Sequence, residues 1–426
     1  MLKVNSLVHD EILSPRYFLL VGRIIDKKTK FPLEEKHRDL LSLIMSLRYV
    51  ECQEPLERKL VLKTRFVNEF KHIKEKLEKL FLQLTGRPIE LVFRLSRAAG
   101  SQAVLNNLEP QDPILFSGGV DSISGAIKII SQNPKGVLLH INSSKSIFGK
   151  VRKILVDDFF NKTYTYCIDA RIKSRRDRSF FSNTRGLLFL TAGYVISKVL
   201  KSEKLVFCEN GAQMLDIMLG SLAYNNATAT KNTNIKYLKA IEDLFSHFED
   251  RRFFVEYPLA NRTKAESISE YLVDDLLSKS WSCYSSRNRS KMCGSCWNCF
   301  VTKMSALAAG FSESLDFETN PLKEILTSNT FLDNQRILYN MMVFYQKVIN
   351  EDAKALEEIS RYEDVFTNSL DLATRFGLDL FLGISSSLSR IKNKNGLGRK
   401  ADELLSRIDP SLILERKEFL ESLSAH

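Results

Sequence analysis

The feature that most constrains the fold is the segment Pro113–Ile130, which reads PILFSGGVDSISGAIKII. Its first residues form the short apolar run of a buried strand, and its last residues have the apolar spacing of a helix. Between them lies the turn Ser117–Ser122, S-G-G-V-D-S. Two adjacent glycines let the backbone curl there, so that the unpaired N–H groups of the first helical turn converge on one point. The segment therefore predicts an anion-binding loop that joins a strand to a helix.

The chain around this loop alternates short β patterns with helical patterns. Strands are predicted over 114–116, 136–141, 164–168 and 205–208, and helices over 124–131, 151–161, 186–200 and 263–278. Such alternation indicates βαβ crossovers and an α/β fold with a doubly wound parallel sheet, covered by helices on both faces. Ligands bind such sheets beyond the carboxyl ends of the strands, where the glycine loop lies.

The length of 426 residues suits two or three domains. Residues 1–110 are expected to form a small mixed α+β N-terminal domain, with strands over 17–25, 59–63 and 90–95 and a helix over 69–84. Prolines 110 and 113 mark a boundary, because each disfavours a helix through its neighbour. Residues 111–311 would then form the nucleotide-binding domain. Residues 312–426 would form a helical C-terminal extension, most clearly over 332–350, 353–362 and 368–376.

Composition and charge narrow the class of partner. No apolar run approaches the roughly 18 residues of a membrane span, and the first residues lack the pattern of a signal peptide, so we expect a cytoplasmic protein with no membrane partner. The net charge of +11 favours anionic partners such as nucleotides. Nucleic acid stays open but is not favoured, because the basic runs Arg171–Arg178, Ser285–Lys291 and Ser389–Lys400 lack interleaved aromatic residues.

The glycine loop is expected to bind ATP through its phosphates. The chain contains no G-x-x-x-x-G-K-[ST] motif, which excludes a Walker A loop. The order S-G-G-x-D-S instead resembles the pyrophosphate loop of the N-type ATP pyrophosphatases, which cleave ATP between the α and β phosphates. Phosphates would repel the Asp121 carboxylate unless Mg²⁺ bridged them, so ATP with Mg²⁺ is the expected co-substrate. The alternative is a tight turn in which Asp121 or a serine only caps the helix. The nucleotide-binding residues predicted here are Phe116, Ser117, Gly118, Gly119, Val120, Asp121 and Ser122.

Four of the seven cysteines lie within one short segment. Cys283, Cys293, Cys296 and Cys299 have the spacing C-x9-C-x2-C-x2-C, from which four thiolates can form the tetrahedron of a structural zinc site. An iron–sulfur cluster is the alternative, since C-x2-C-x2-C also occurs in ferredoxins. Zinc is favoured because no cysteine follows three residues after Cys299 and no proline follows the cluster.

Together these motifs resemble the 7-cyano-7-deazaguanine synthase family, QueC. The resemblance rests on Ser117–Ser122, on Arg185 at a predicted helix start, on Pro258–Glu266 (P-L-A-N-R-T-K-A-E) and on Ser282–Tyr284 with the C-G-x-C-x-x-C of Cys293–Cys299. It covers roughly residues 114–310. The chain departs from the family pattern at Thr302, where the family has an arginine, and at the Asn183-Thr184-Arg185-Gly186 turn, which replaces Pro-x-Arg-Asn.

The resemblance implies an ATP-dependent C–N ligase. Members adenylate 7-carboxy-7-deazaguanine, let ammonia displace AMP to give the amide, and dehydrate the amide to the nitrile in queuosine biosynthesis. Cations are needed where the acid meets the α-phosphate, and Arg185 and Lys264 are the candidates. Asp121, Ser117, Arg185 and Lys264 are the predicted catalytic residues. No histidine lies in these motifs, although His140 ends a predicted strand and would lie near the site.

The segments outside the QueC-like region, together with Cys208–Gly211 after a predicted strand, resemble those of divergent QueC-like proteins of bacterial anti-phage defence, of the Qat type or of type IV cyclic-nucleotide systems. Such a variant would make the amide or the nitrile, or join the deazaguanine to a protein amine, with the extensions docking a protein partner or acceptor. A homodimer is compatible with this. Two other readings stay open: tRNA thiolation by the same loop, and an inactive nucleotide-binding scaffold, which the intact Asp121 and both glycines disfavour.

Overall fold

The computed structural model describes residues 2–3, 16–21, 24–26, 34–52, 59–96, 110–133, 136–142, 145–155, 159–160, 163–169, 183–215, 233–283, 290–311, 315–323, 332–360, 368–389 and 396–424. Tyr284, the basic run Arg171–Arg178 and most of the other two basic runs lie outside these residues.

The strands of the described residues are β1 Leu2–Lys3, β2 Arg16–Val21, β3 Ile24–Asp26, β4 Lys59–Thr64, β5 Glu90–Leu95, β6 Asp112–Leu115, β7 Gly136–Asn142, β8 Tyr164–Asp169, β9 Lys204–Phe207 and β10 Phe254–Glu256. The helices are α1 Glu35–Cys52, α2 Val67–Thr85, α3 Val120–Gln132, α4 Lys145–Leu155, α5 Arg185–Val199, α6 Gly211–Met214, α7 Ile235–Glu249, α8 Lys264–Tyr271, α9 Asp274–Lys279, α10 Trp297–Ala308, α11 Leu332–Ile349, α12 Ala353–Ser360, α13 Ser369–Leu388, α14 Gly396–Leu405 and α15 Pro410–Leu423.

The larger sheet has the strand order β10-β9-β6-β7-β8-β2-β3. The first five strands are parallel, and β2 and β3 are antiparallel additions at one edge. The chain runs outward from β6 through β7 to β8, and then returns to the other side of β6 for β9 and β10. This reversal confirms the predicted doubly wound α/β fold, and it places the switch point between β6 and β9, where such sheets bind ligands.

The core of this sheet is apolar on the central strands and on the helix that covers them. Ile114 of β6 and Leu138 and Leu139 of β7 are fully buried. Helix α5 packs against β6, β7 and β9 and is apolar on nearly all sides, as expected for a helix enclosed by other elements.

The smaller sheet has the order β1-β4-β5, and all its strands are parallel. Helix α2 packs on β5 with a buried stripe at helical spacing, which includes Phe70, Ile73 and Leu77. The mixed α+β character predicted for the N-terminal region is therefore confirmed, as is the helical character of the C-terminal region, which contains α11 to α15.

Contacts between residues divide the chain into two compact units. The first, here called the sheet unit, contains residues 1–117, 129–207 and 230–257; the second, the helical unit, contains residues 118–128, 208–229 and 258–426. Neither unit coincides with one of the three domains expected from the sequence, and that division stays a prediction.

Three segments differ locally from the sequence predictions, the first being the helix expected over 151–161, which is α4, Lys145–Leu155, with Phe159 and Phe160 in a turn. Within the strand expected over 17–25, the structure describes parts of two antiparallel strands, β2 and β3. The helix expected over 263–278 is interrupted at Leu272, whose φ of −112° and ψ of 139° are extended. The β-branched Val273 disfavours continuation there, and Asp274 and Asp275 favour a new helix start at α9 through the helix dipole.

The helices that the structure describes include none with the length and apolar character of a membrane-spanning segment.

Candidate functional site

The glycine loop follows β6 directly, as the sequence predicts. Phe116 extends the pairing of β6 by donating its N–H to the carbonyl of Leu139 at 2.8 Å, and α3 begins at Val120. Gly118 between them has a φ of +80°, a left-handed conformation that residues with a Cβ rarely adopt. The backbone of the turn therefore requires a glycine at the first position of the Gly118-Gly119 pair.

Ser122 shapes this loop from within. Its Oγ accepts a hydrogen bond from the N–H of Gly118 at 3.0 Å and donates to the carbonyl of Gly119 at 2.9 Å. Ser117, in contrast, is exposed at the start of the loop. The two serines of the motif therefore have different surroundings, and Ser117 is the more accessible donor.

The Asp121 carboxylate is held by two partners from distant parts of the chain. It is 9% exposed and forms an ion pair through Oδ2 with the Nζ of Lys264. Its Oδ1 accepts a hydrogen bond from the Nδ2 of Asn210 at 3.0 Å. Because Asp121 lies in the first turn of α3, these contacts orient a negative charge beside the loop that is predicted to bind phosphates.

Glu209 completes this cluster, and the sequence analysis did not include it among the predicted site residues. Burial raises the pKa of Glu209 well above its usual range, and the adjacent Asp121 carboxylate raises it further, while Lys264 opposes both. Its Oε1 is buried and has no hydrogen-bond partner among the described residues. The available signal was the polar pair Glu209-Asn210 directly after β9, the strand next to β6. Two carboxylates beside one ammonium can bind a divalent cation, which would replace the Lys264 ammonium as the positive charge next to them.

Asn210 and Gly211 fix this turn to the Pro258–Glu266 motif. The Asn210 side chain accepts the N–H of Gln213 at 3.1 Å and so caps α6. The N–H of Gly211 donates to the carbonyls of Leu259 at 3.2 Å and Arg262 at 2.9 Å. The residues after β9 and the residues before α8 are therefore joined backbone to backbone.

Lys264 is the first residue of α8, and local sequence explains its position. Thr263 and Glu266 form a capping box: the N–H of Glu266 donates to Oγ1 of Thr263 at 3.2 Å, and the N–H of Thr263 donates to Glu266 Oε2 at 3.0 Å. Lys264 is 5% exposed. A buried ammonium needs a paired anion, and Asp121 is that anion.

The four cysteines predicted to bind a metal lie together. Their Sγ atoms all fall within 4.8 Å of one another, with 3.4 Å between Cys296 and Cys299 and 3.9 Å both for Cys293 to Cys299 and for Cys283 to Cys296. One tetrahedral ion with bonds of about 2.3 Å holds sulfur atoms about 3.8 Å apart. The set fits a single metal ion, whereas the cysteines of a four-iron cluster each bind a different iron.

Neighbouring backbone supports the cysteine cluster. The N–H of Trp281 donates to the carbonyl of Gly118 at 2.8 Å, so the segment that leads to Cys283 is attached to the glycine loop. On the other side, the N–H of Glu318 donates to the carbonyl of Met292 at 2.8 Å. Gly294 is required in the knuckle, because its φ is +72° and a Cβ there would lie 1.8 Å from the carbonyl oxygen of Thr319.

Arg185 lies in the sheet unit, at the first position of α5. Its guanidinium lies over the Phe189 ring, 4.9 Å from the centroid. The preceding turn is held by Glu51 from the end of α1, whose carboxylate accepts the N–H groups of Asn183 at 2.6 Å and Thr184 at 3.0 Å and the Thr184 hydroxyl at 2.6 Å. A carboxylate thus caps the N-terminus of α5, and the proposed role of Arg185 in catalysis stays a prediction.

His140 lies on β7 in the same unit, hydrogen-bonded to the glycine-loop strand. Its Nδ1 is 2.9 Å from the carbonyl of Phe116, and that acceptor requires the proton to be on Nδ1. Burial lowers the pKa of His140 to about 4, so the imidazole is neutral at physiological pH. It supports the strand end as a hydrogen-bond donor.

Part of the chain matches the model of a known protein family. Residues 170–310 match the model of the family described as queuosine biosynthesis protein QueC. The match contains Arg185, the Pro258–Glu266 motif and all four clustered cysteines, and it begins after the glycine loop. A search of curated proteins returns no match.

Proposed function

We propose that this chain, a QueC-family PP-loop protein by residues 170–310, is an ATP-dependent synthase that adenylates the carboxylate of a 7-deazaguanine acid such as 7-carboxy-7-deazaguanine. The carboxylate attacks the α-phosphorus of ATP, pyrophosphate leaves, and an acyl adenylate forms. Ammonia then attacks the acyl carbon, and AMP leaves with the formation of the amide. A second ATP then adenylates the amide oxygen with loss of pyrophosphate, and AMP leaves with that oxygen while the nitrogen gives up its two protons and the nitrile forms.

The observation that carries the proposal is the cluster of Asp121, Lys264 and Asn210 beside a loop with the S-G-G-x-D-S order. A tight turn that only caps a helix does not need a buried ion pair with a lysine more than a hundred residues away. A phosphate site does need a cation, and a fixed carboxylate beside it can hold the Mg²⁺ that bridges it to the phosphates. The arrangement therefore favours ATP binding over the capping alternative.

The loop and two cationic side chains have separate roles in this proposal. The N–H groups of the turn and the Ser117 hydroxyl would donate to the pyrophosphate portion of ATP. The Lys264 ammonium would neutralise charge that develops on the α-phosphate when the acid attacks. Arg185 would bind the acid or the same phosphate, as the family resemblance implies.

Asp121 and Glu209 fit a magnesium site. Mg²⁺ prefers carboxylate oxygens, and the buried Oε1 of Glu209 has no hydrogen-bond partner within the described part of the chain. Magnesium bound there would neutralise the ATP phosphates. In its absence, the Lys264 ammonium compensates the Asp121 charge.

Zinc is the metal that we propose for Cys283, Cys293, Cys296 and Cys299. Four thiolates leave no open position for a substrate, so the ion has a structural role. Because the segment before Cys283 is attached to the glycine loop through Trp281, zinc would stabilise one side of the ATP site.

The product and the biological setting rest on the resemblance stated from the sequence. The chain would make the amide or nitrile in anti-phage defence, or transfer the acyl group to a protein amine docked by the terminal extensions. These outcomes differ in the acceptor and share the adenylation step.

The test is to incubate the purified protein with ATP, Mg²⁺, ammonium and 7-carboxy-7-deazaguanine, and to identify nucleotides and deazaguanines by mass spectrometry. We expect AMP, pyrophosphate and the amide or nitrile, all lost in Asp121→Asn and retained in the exposed control Asp275→Asn. AMP with mass added to protein identifies the conjugating alternative. No acid-dependent AMP from folded, metal-loaded protein would refute the proposal.

A further inference from the structure

A buried network of charged side chains connects the start of α8 to two C-terminal helices. Its members are Thr263 and Glu266 of the capping box, Arg375 and Asp379 of α13, and Arg416 of α15. Glu266 is 0%, Asp379 1% and Arg416 5% exposed. All five belong to the helical unit, and two of them, Thr263 and Glu266, lie on either side of Lys264 in the chain.

Glu266 is shared by two guanidinium groups. Nη1 of Arg375 lies 2.5 Å from its Oε1 and 2.6 Å from its Oε2, and Nη2 of Arg416 lies 2.7 Å from Oε1. Burial would raise the pKa of Glu266, but the two arginines lower it below its usual value. Glu266 is therefore ionised, and its orientation in the capping box is fixed from the C-terminal side.

Thr263 is held by the same network. Its hydroxyl donates a hydrogen bond to Oδ2 of Asp379 at 2.5 Å. The Asp379 carboxylate also accepts hydrogen bonds from Nε of Arg416 at 2.7 Å and from Nη2 of Arg416 at 3.1 Å. Both ends of the capping box, Thr263 and Glu266, thus contact α13 or α15. The backbone of Lys264 lies between them.

The network therefore fixes the direction in which the Lys264 side chain leaves the backbone. The apolar contacts of Ala265 and Ala308 with Leu382 and Leu420 already hold α8 to the neighbouring helices. Apolar packing of this kind tolerates small shifts and rotations, whereas bidentate charge pairs have a defined geometry. Buried ion pairs add little stability compared with apolar residues of the same size, so we attribute this one to positioning.

We propose that Arg416 and Asp379 are positioning residues for Lys264, so that the C-terminal helices set the reactivity of the ATP site. This inference rests on the proposed function, because it assigns the Lys264 ammonium a role in adenylation. It gives the C-terminal extension a purpose within the chain itself, in addition to any docking of a partner.

The first test measures Lys264 without substrates. The folded protein is treated briefly with an amine-acetylating reagent, and the acetylation rate of each lysine is followed by mass spectrometry. We expect Arg416→Met to raise the rate at Lys264 by about tenfold, because a less oriented ammonium leaves Asp121 more often. Arg407→Met, at an arginine paired with Glu403, whose side chain is 61% exposed, is the matched control and should leave the rate unchanged.

The second test measures AMP formation in a double-mutant cycle. Arg416→Met should lower kcat by about a hundredfold, as expected for a displaced catalytic group, and change the KM for ATP by less than about threefold. In the Lys264→Ala background the same substitution should lower kcat by less than about twofold, because its effect acts through Lys264. An equal loss in both backgrounds would overturn the proposal and indicate a general effect on the fold.

Further variants and controls distinguish misfolding, failure of the proposed function and failure of the positioning role. If Arg416→Met does not fold, Arg375→Met replaces it, since that side chain is 20% exposed and its loss leaves Arg416 on Glu266. Arg416→Lys should restore part of kcat if charge and position both matter. If the wild-type protein forms no AMP, the proposed function fails; an unchanged acetylation rate at Lys264 refutes the positioning role independently.

Discussion

Substituting Gly211 by alanine tests whether the loop after β9 and the turn before α8 form one rigid support for the site. A Cβ on Gly211 would lie 1.8 Å from the carbonyl oxygen of Ala260 and 2.5 Å from Cδ2 of Leu372. Carbon and oxygen atoms approach each other to about 3.3 Å. The two backbone segments would therefore have to separate by roughly 1.5 Å, since the leucine can rotate away but the carbonyl cannot.

Both segments carry groups of the candidate site. Asn210, which binds Asp121, directly precedes Gly211, and Lys264 follows Ala260 by four residues. A shift of about 1 Å at a catalytic group can lower a rate by about a hundredfold. We expect Gly211→Ala to lower AMP formation by that factor and the free energy of unfolding by about 1–3 kcal/mol.

Urea denaturation and the AMP assay measure the two effects. The control is Gly149→Ala on the exposed side of α4, where an added Cβ meets nothing within 4 Å. That variant should keep full activity and gain about 0.4–1 kcal/mol, because alanine restricts the unfolded chain. Wild-type unfolding and activity in Gly211→Ala would refute the close approach on which the reasoning depends.

Three other predictions concern the proposed metal site, the buried hydrogen bonds of Glu249 and the carboxylate that caps α5. Cys296→Ser removes one of the four sulfur atoms proposed to bind zinc, so we expect elemental analysis to find well below one zinc per chain. Burial would raise the pKa of Glu249, but hydrogen bonds from His37 and from a tyrosine lower it to about 2 from 4.5. Its ionisation therefore stabilises the native state by about 3 kcal/mol above pH 4.5, and this stability is lost as the pH falls through 2. In urea denaturation, Glu249→Gln should lose most of that amount at pH 6 and little at pH 2.5. Glu51→Ala removes the acceptor for the N–H of Thr184 and should lower the free energy of unfolding by about 1–2 kcal/mol.

Each of these has a matched control. Cys167→Ser replaces a buried cysteine outside the cluster and should keep the full zinc content. Glu90→Ala removes an exposed partner of Lys59 and should change the free energy of unfolding by less than about 1 kcal/mol at any pH. Full zinc in Cys296→Ser, a pH-independent loss in Glu249→Gln, or unchanged stability in Glu51→Ala would contradict the corresponding contact.

Local patterns in the sequence were enough to predict the glycine loop and the cysteine cluster. In both cases the groups that act together lie close in sequence: Ser117–Ser122 form one turn, and three of the four cysteines lie within seven residues. The alternation of strands and helices likewise predicted the parallel sheet. Helix α1 was not predicted, because its apolar pattern is irregular.

Contacts between distant segments could not be predicted in this way. Glu209 and Asn210 reach Asp121 only because β9 pairs with β6, and a single sequence does not show which strands are neighbours. The same holds for Arg416, which is 150 residues from Glu266 in the chain and yet neutralises it. Lys264 was proposed from family resemblance alone, and its burial and its pairing with Asp121 came from the structure.

The most direct test of the central claim follows one oxygen atom. The protein is incubated with ATP, Mg²⁺, ammonium and 7-carboxy-7-deazaguanine whose carboxylate carries heavy oxygen, and the AMP produced is examined by mass spectrometry. Adenylation by attack of the carboxylate on the α-phosphorus predicts AMP that contains one heavy oxygen, with none formed by Asp121→Asn. AMP without heavy oxygen, or ADP in its place, would contradict adenylation of the acid and with it the function proposed for this site.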